Sequence, residues 1–162
     1  GLSDTDALTG LFNRRAFQTA VDETLLKRIS GVFIFIDVDN FKDYNDKYGH
    51  ANGDLCLKHF AATMKKCFPK DSILGRYGGD EFVVYIKNAA SDDAHRYMDE
   101  FQREISHLMM SGGEHVMVSA SAGGVAFIGE GEDFVSLCRS ADNMLYDVKR
   151  NGKGTFKMKG AK

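Results

Sequence analysis

Arg76-Tyr77-Gly78-Gly79-Asp80-Glu81-Phe82 lies between two apolar segments, Ile73-Leu74 before it and Val83-Val84-Tyr85-Ile86 after it. Strand-forming residues on both sides of a Gly-Gly-acidic centre predict a β-hairpin with a short turn. Gly78-Gly79 supplies positive φ without steric cost and leaves no Cβ to hold a ligand off the backbone. Asp80 and Glu81 then set carboxylates beside that bare backbone. An ordinary tight turn has the same local pattern. What raises the stretch above a turn is a second acidic cluster, Asp37-Val38-Asp39, at the end of another apolar run.

Working outward, that run, Val32-Phe33-Ile34-Phe35-Ile36, reads as a strand covered on both faces, with Asp37 at its carboxyl end. Upstream, Phe17, Val21, Leu25 and Ile29 share one face of a helix from Arg14 to about Ile29, ended by Ser30-Gly31. Asp6, Arg14 and Arg15 are placed to pair across the turn that precedes it. A short helix is expected around Phe41 to Lys47, broken at Gly49. Asn52-Gly53-Asp54 then leads into a longer helix with Cys56, Phe60, Met64 and Cys67 inward, closed by Pro69. Beyond the hairpin, Ala94, Tyr97, Met98, Phe101, Ile105 and Leu108 keep a helical period from Asp92 to about Met110, where Gly112-Gly113 stops it. Val116 to Ile128 predicts one long or interrupted strand. Phe134 to Val148 predicts another helix, capped by Asn151-Gly152, and Thr155 to Met158 a last edge strand. Strands and helices mix without strict βαβ alternation, which argues an α+β fold with helices packed on a sheet.

The 162 residues suit a single domain, and 43% hydrophobic with 27% charged residues is ordinary globular composition. A net charge of −2, from 21 basic and 23 acidic side chains, gives no electrostatic case for nucleic-acid binding. No apolar run reaches membrane-spanning length and no signal peptide is visible. Cys56, Cys67 and Cys138 lack metal-type spacing and read as buried thiols of a reducing, cytoplasmic compartment. The five histidines, His50, His59, His95, His107 and His115, form no metal or triad pattern in the sequence.

Gly78-Gly79-Asp80-Glu81-Phe82 resembles the signature of the GGDEF domains, the diguanylate cyclases. The resemblance covers nearly the whole chain: Asp6 to Arg15 is similar to the family's opening motif, Asp37-Val38-Asp39-Asn40-Phe41-Lys42 to its metal-strand motif, and Asn45-Asp46 with Gly49-His50-Ala51-Asn52-Gly53-Asp54 to its base-binding region. Several such motifs in the right order are far more specific than one pentapeptide. The resemblance implies a palm-like, ferredoxin-type fold shared with nucleotide cyclases and polymerases, its central, mostly antiparallel sheet flanked by helices. It also implies one domain over residues 1–162, with 1–13 leading in from an upstream sensory or regulatory domain; Gly1 in place of an initiator methionine agrees with a longer parent protein.

For the site, the resemblance implies Asp37, the backbone carbonyl of Val38 and Asp80 as metal ligands, two Mg²⁺ per site with Mn²⁺ as the substitute. Asn45 and Asp54 match the guanine-reading positions. Phe41, Lys42, Gly78, Gly79, Lys149 and Lys153 match substrate-binding positions, the three lysines those that meet the triphosphate. Glu81 falls in the same acidic site as Asp80, where assistance to the metal and to proton transfer both stay open. The implied activity condenses two GTP into cyclic di-GMP and two pyrophosphates across a homodimer, each domain holding one GTP. The alternative is a GTP-binding module that signals to a partner without turnover, whose usual mark is loss of the acidic signature or of the metal aspartate. Both are retained here.

Read from the residues alone, each position has a plainer explanation. Converging carboxylates repel, and a hard divalent cation resolves the conflict, but Asp37 could equally cap the next helix and Asp80 solvate a turn. Asn45 and Asp54 could both be helix caps. Lys149, Arg150 and Lys153 at a helix end would favour the helix dipole anyway. Asp39, on the opposite face from its neighbour if the strand continues, is a weaker candidate ligand. One departure from the family stands out: an Arg-x-x-Asp inhibitory site would end five residues before Gly78, where this chain reads Pro69-Lys70-Asp71-Ser72. Product binding there is not expected.

Overall fold

A computed structural model describes residues 3–160. Its axis is β1 (Gly31–Val38), whose eight residues are all buried. A continuous apolar strand of this kind must be covered on both faces and paired on both edges. β1 lies antiparallel to β3 (Glu81–Lys87) on one side and to β6 (Ala120–Phe127) on the other. β2 (Ile73–Arg76) and β7 (Phe156–Lys159) complete a five-stranded sheet in the order β2-β3-β1-β6-β7, in which only the β6–β7 pair is parallel. The chain is therefore α+β with a mostly antiparallel sheet flanked by helices, as expected.

Alternation along β1 sorts the core into two layers. Val32, Ile34, Ile36 and Val38 pack with α3 (His50–Cys67) and α4 (Ser91–Ile105) in one cluster. Phe33 and Phe35 pack with α1 (Arg14–Leu26) and α5 (Phe134–Arg150) in the other. Phe33 sits at the centre of the second layer, edge-on to Phe17 and Phe134 with centroids 5.9 Å away in each case. The helices begin where side chains accept otherwise unpaired amides: Asn13 from Ala16 N at 2.9 Å for α1, and Asp133 from Ser136 N at 2.8 Å for α5. Gly123 lets α5 lie flat on β6, since a Cβ there would stand 2.1 Å from the backbone nitrogen of Leu145.

Several boundaries differ from the sequence-based expectation. The first helix ends at Leu26 rather than near Ile29, because Arg28 takes a left-handed conformation with φ 57°. The long helix α3 starts at His50, directly after α2 (Phe41–Tyr48) and the positive-φ residue Gly49, so Asn52-Gly53-Asp54 lies inside it and Asp54 is no cap. The helix after the hairpin stops at Ile105, not near Met110. Leu108 fits a helical period from Phe101 and Ile105, but it also alternates with Met110, and the chain uses the alternation. It forms β4 (His107–Met109), which pairs with β5 (His115–Met117) in a separate two-stranded ribbon around Gly112-Gly113. The expected long strand is thus interrupted into β5 and β6, on different sheets. At the amino end, Asp6 pairs with Arg76 at 3.2 Å rather than with Arg14 or Arg15. Arg15 instead meets Asp4 at 3.0 Å, and the Arg14 guanidinium lies 4.1 Å over the Tyr77 ring. The first two residues of the expected lead-in segment lie outside the described residues. Among the described residues no helix is long and apolar enough to cross a membrane.

Candidate active site

The two acidic motifs meet because β1 and β3 are neighbours. Asp37 stands directly opposite Glu81 in the ladder, and Val38 N donates to the backbone carbonyl of Asp80 at 3.2 Å. The hairpin turn runs from Tyr77 to Glu81, with Tyr77 N donating to Glu81 O at 2.8 Å. Neither Gly78 nor Gly79 has a positive φ, contrary to expectation. What the turn needs at Gly78 is the missing side chain, because a Cβ would come within 2.6 Å of a Glu81 carboxylate oxygen. Arg76 braces the turn from below, donating to Gly79 O at 2.8 and 3.1 Å while holding Asp6.

A cavity of about 300 Å³ opens between the end of β1, the start of α2 and the end of α5. Val38, Phe41, Lys42, Asp80, Lys149 and Lys153 all line it, with Asp39, Asn40 and Asp43. One depression therefore collects two of the expected metal positions, Val38 and Asp80, all three expected phosphate cations and Phe41. Asp37 is buried and does not line the cavity, but it bonds Lys149, which does. Lys149 donates to one oxygen of Asp37, and the other oxygen is buried with no hydrogen-bond partner. Burial pushes the Asp37 carboxyl up to about 6 against the pull of Lys149, and the Asp80 and Glu81 charges push the same way. Burial draws Lys149 down, but its bond to Asp37 and the surrounding carboxylates outweigh this and hold its ammonium above the ordinary value.

Among the described residues no three His, Cys, Asp or Glu side chains converge as a metal group. The donors here are two carboxylates and a backbone carbonyl, which with substrate phosphates suit a hard, oxygen-liganded cation. The unpartnered Asp37 oxygen, beside like charges, fits such an ion.

Glu81 does not line this cavity. It lines a second depression with Phe35, Tyr77, Cys138, Arg139 and Asp142. Asn45 and Asp54 also lie off the first cavity, on α2 and α3. Asn45 Oδ1 rests over Gly53, where a Cβ would be only 1.8 Å away, and it has no hydrogen-bond partner. Asp54, the neighbour of Gly53 in sequence, is exposed. Where the inhibitory motif would sit, Pro69 to Ser72 forms a turn closed by Ser72 N to Pro69 O at 2.9 Å.

Sequence reasoning missed the support behind the cavity. Both oxygens of Asp39 are occupied, by the hydroxyls of Ser119 at 2.6 Å and Ser121 at 2.5 Å. Ser121 Oγ also accepts from Gly154 N at 3.0 Å, and Lys153 Nζ donates to Asn40 Oδ1 at 2.9 Å. Asn40 and Lys153 are both left-handed, with φ 55° and 64°. Non-glycine residues persist in that region only where their surroundings hold them. The only sequence signal was the spacing Asp37, Asp39, two apart and so on one face of a continuing strand.

The sequence model described as "Diguanylate cyclase, GGDEF domain" matches residues 3–155. The chain is 33% identical over 158 residues to the cyclic di-GMP phosphodiesterase PdeR of Escherichia coli, an overlap covering 96% of this chain and 24% of that protein. It is 34% identical over 158 residues to a diguanylate cyclase of Vibrio cholerae, covering 94% of this chain and 48% of the other. The chain thus spans between about a quarter and a half of the length of these relatives. Among solved structures, the GGDEF domain of PA1120 from Pseudomonas aeruginosa superposes with a TM-score of 0.89 at 30% identity, covering 95% of this chain and 93% of that one.

Proposed function

The chain belongs to the GGDEF domain family, and from that premise we propose that it is a diguanylate cyclase, condensing two GTP into cyclic di-GMP and two pyrophosphates across a homodimer. The observation that carries this reading is the single cavity lined by Lys42, Lys149, Lys153 and Asp80, with Asp37 bonded to Lys149 and keeping one buried oxygen unpartnered. A triphosphate brings about four negative charges, and three ammonium groups around a small depression offset much of that without requiring planar geometry. Asp37, the Val38 carbonyl and Asp80 would hold Mg²⁺, or Mn²⁺ in its place. When bound, such an ion neutralises phosphate charge and stabilises attacking and leaving oxygens.

The chain's own residues supply position and charge. Phe41 and the bare backbone of Gly78 and Gly79 give the nucleotide close approach to the turn. Asn45, whose Oδ1 is buried without a donor, and Asp54 would accept from the N1–H and exocyclic amine of guanine. Adenine lacks that donor pair, so it would leave both acceptors unpaired. The 3′-hydroxyl of one GTP gives up its proton to water as its oxygen bonds to the α-phosphorus of the other, the bond from that phosphorus to the bridging β-phosphate oxygen breaks, and pyrophosphate leaves. The reciprocal step closes the ring and releases the second pyrophosphate. Each domain contributes half of this reaction, so two copies must face each other. Input from an upstream regulatory domain would enter through residues 3–13, which Asp6 ties to the signature turn by way of Arg76.

The 33% identity to a protein named for cyclic di-GMP breakdown favours one other reading. In it the domain holds GTP and signals to a partner without turnover. Incubating the protein at high concentration with GTP and Mg²⁺ and identifying the nucleotides formed separates the two. Cyclic di-GMP with pyrophosphate supports the cyclase, GTP bound but unchanged supports the signalling module, and absence of GTP binding removes both.

A further inference from the structure

The β4–β5 ribbon, none of whose residues lines the nucleotide cavity, brings together four side chains on one face. In its register His107 stands opposite Met117 and Met109 opposite His115. Side chains alternate along a strand, so these four share one face of the ribbon. The other face carries Leu108, Met110 and Val118, all buried in the core, with Val116 packed against it. All four outward residues are exposed. Met109 is 59% and Met117 70% accessible, so neither thioether is spent on packing.

The ladder fixes their spacing. Directly opposed residues have Cα atoms about 4.5–5.5 Å apart, and residues two apart on one strand about 7 Å. Two imidazoles and two thioethers therefore stand at the corners of a rectangle that one ion can bridge, each strand supplying one nitrogen and one sulfur donor. The rectangle is held in register at both ends. Met110 N donates to Glu114 O at 2.7 Å at the turn, and Val118 N to Ser106 O at 2.9 Å at the base. His107 Nδ1 is 3.1 Å from Ser106 Oγ, which orients the ring and leaves Nε2 as the outward donor. No carboxylate belongs to the set.

We propose that the His107, Met109, His115 and Met117 face of this ribbon binds a soft cation, Cu(I). Thioether sulfur selects Cu(I) and imidazole tolerates it, whereas the hard ions that suit the carboxylate cavity prefer oxygen, which none of these four side chains offers. The sequence conceals the site because a helix continued through Leu108 would scatter these residues around its circumference. Only the break at Ile105 and the return strand line them up.

The test is an anaerobic titration of the protein with Cu(I) against a chromophoric Cu(I) chelator. It is run in a Cys138→Ser background so that the one half-exposed thiol does not compete. The protein is expected to withhold about one equivalent of Cu(I). Met109→Leu/Met117→Leu and, separately, His107→Ala/His115→Ala should each weaken that binding by about tenfold or more, with melting temperature nearly unchanged because all four side chains are exposed. In a parallel Ag(I) titration of protein labelled at the methionine methyls, the Met109 and Met117 resonances should shift while those of buried Met64 and Met98 stay. Absence of a withheld equivalent, equal affinity in the variants, or methyl shifts elsewhere would each overturn the site.

Discussion

Lys149 donates to one oxygen of Asp37, and the second oxygen of that buried carboxylate faces no donor at all. An unsatisfied buried acceptor costs roughly 1–3 kcal/mol, and here two further carboxylates stand nearby. The arrangement is unfavourable for the protein alone and favourable once positive charge arrives. That asymmetry is the physical content of the metal assignment.

Asp37→Asn and Asp80→Ala should each lower GTP turnover by about a hundredfold or more while leaving the melting temperature close to that of the parent. Turnover assays beside thermal denaturation check this. Near-parent activity in either variant would remove that residue from the metal site.

Asp54 is exposed within α3 and caps nothing, so Asp54→Ala should change stability by no more than about 0.5 kcal/mol. Its effect should fall on base choice, with GTP affinity reduced and ATP affinity unchanged or improved. Competition binding with both nucleotides measures it, and an unaltered GTP-to-ATP ratio would contradict the assignment.

Arg76 ties the signature turn to Asp6, with both side chains largely shielded. Burial pushes the Asp6 carboxyl up, but hydrogen bonds from Thr9 and the Arg76 charge together prevail and hold it below the ordinary aspartate value. A lowered carboxyl stabilises the fold above its unfolded value, and the contribution is lost as pH falls through the folded one. Arg76→Ala should cost about 1–3 kcal/mol at neutral pH. The stability gap between parent and Asp6→Asn should be present at neutral pH and narrow in acid, as pH falls through the lowered Asp6 value. Denaturant titrations at several pH values test both, and a gap that widened in acid would oppose this account.

Much of this was legible beforehand. The apolar run of β1, the hairpin and the period of α5 each had one structural solution, and the acidic motifs had to meet once β1 and β3 were neighbours. Residues 105–118 were less so, because Leu108 continues the helical period of Phe101 and Ile105 and also alternates with Met110, until the return strand decides between them. Gly78-Gly79 predicts positive φ at the turn, but neither glycine adopts it, whereas Asn40 and Lys153 beside the cavity do. The clasp of Asp39 by Ser119 and Ser121 joins β1 to residues about eighty positions away. No local pattern announces a contact of that range.

The close approach of α5 to β6 gives a test of the fold itself. Gly123→Ala would place a methyl 2.1 Å from Leu145 N and 2.5 Å from Ala141 O, both backbone atoms that cannot swing aside. A loss of about 3 kcal/mol or more is expected, read as a lowered denaturation midpoint. Tolerance of alanine there would mean that α5 sits higher on the sheet.

The most direct test follows pyrophosphate release and cyclic di-GMP formation together, over a range of protein concentrations in which sedimentation defines the monomer–dimer balance. A cyclase with half a site per domain predicts two pyrophosphates per cyclic di-GMP and a rate that rises more steeply than linearly while monomers predominate. GTP held without turnover at concentrations where the dimer is fully formed would contradict it.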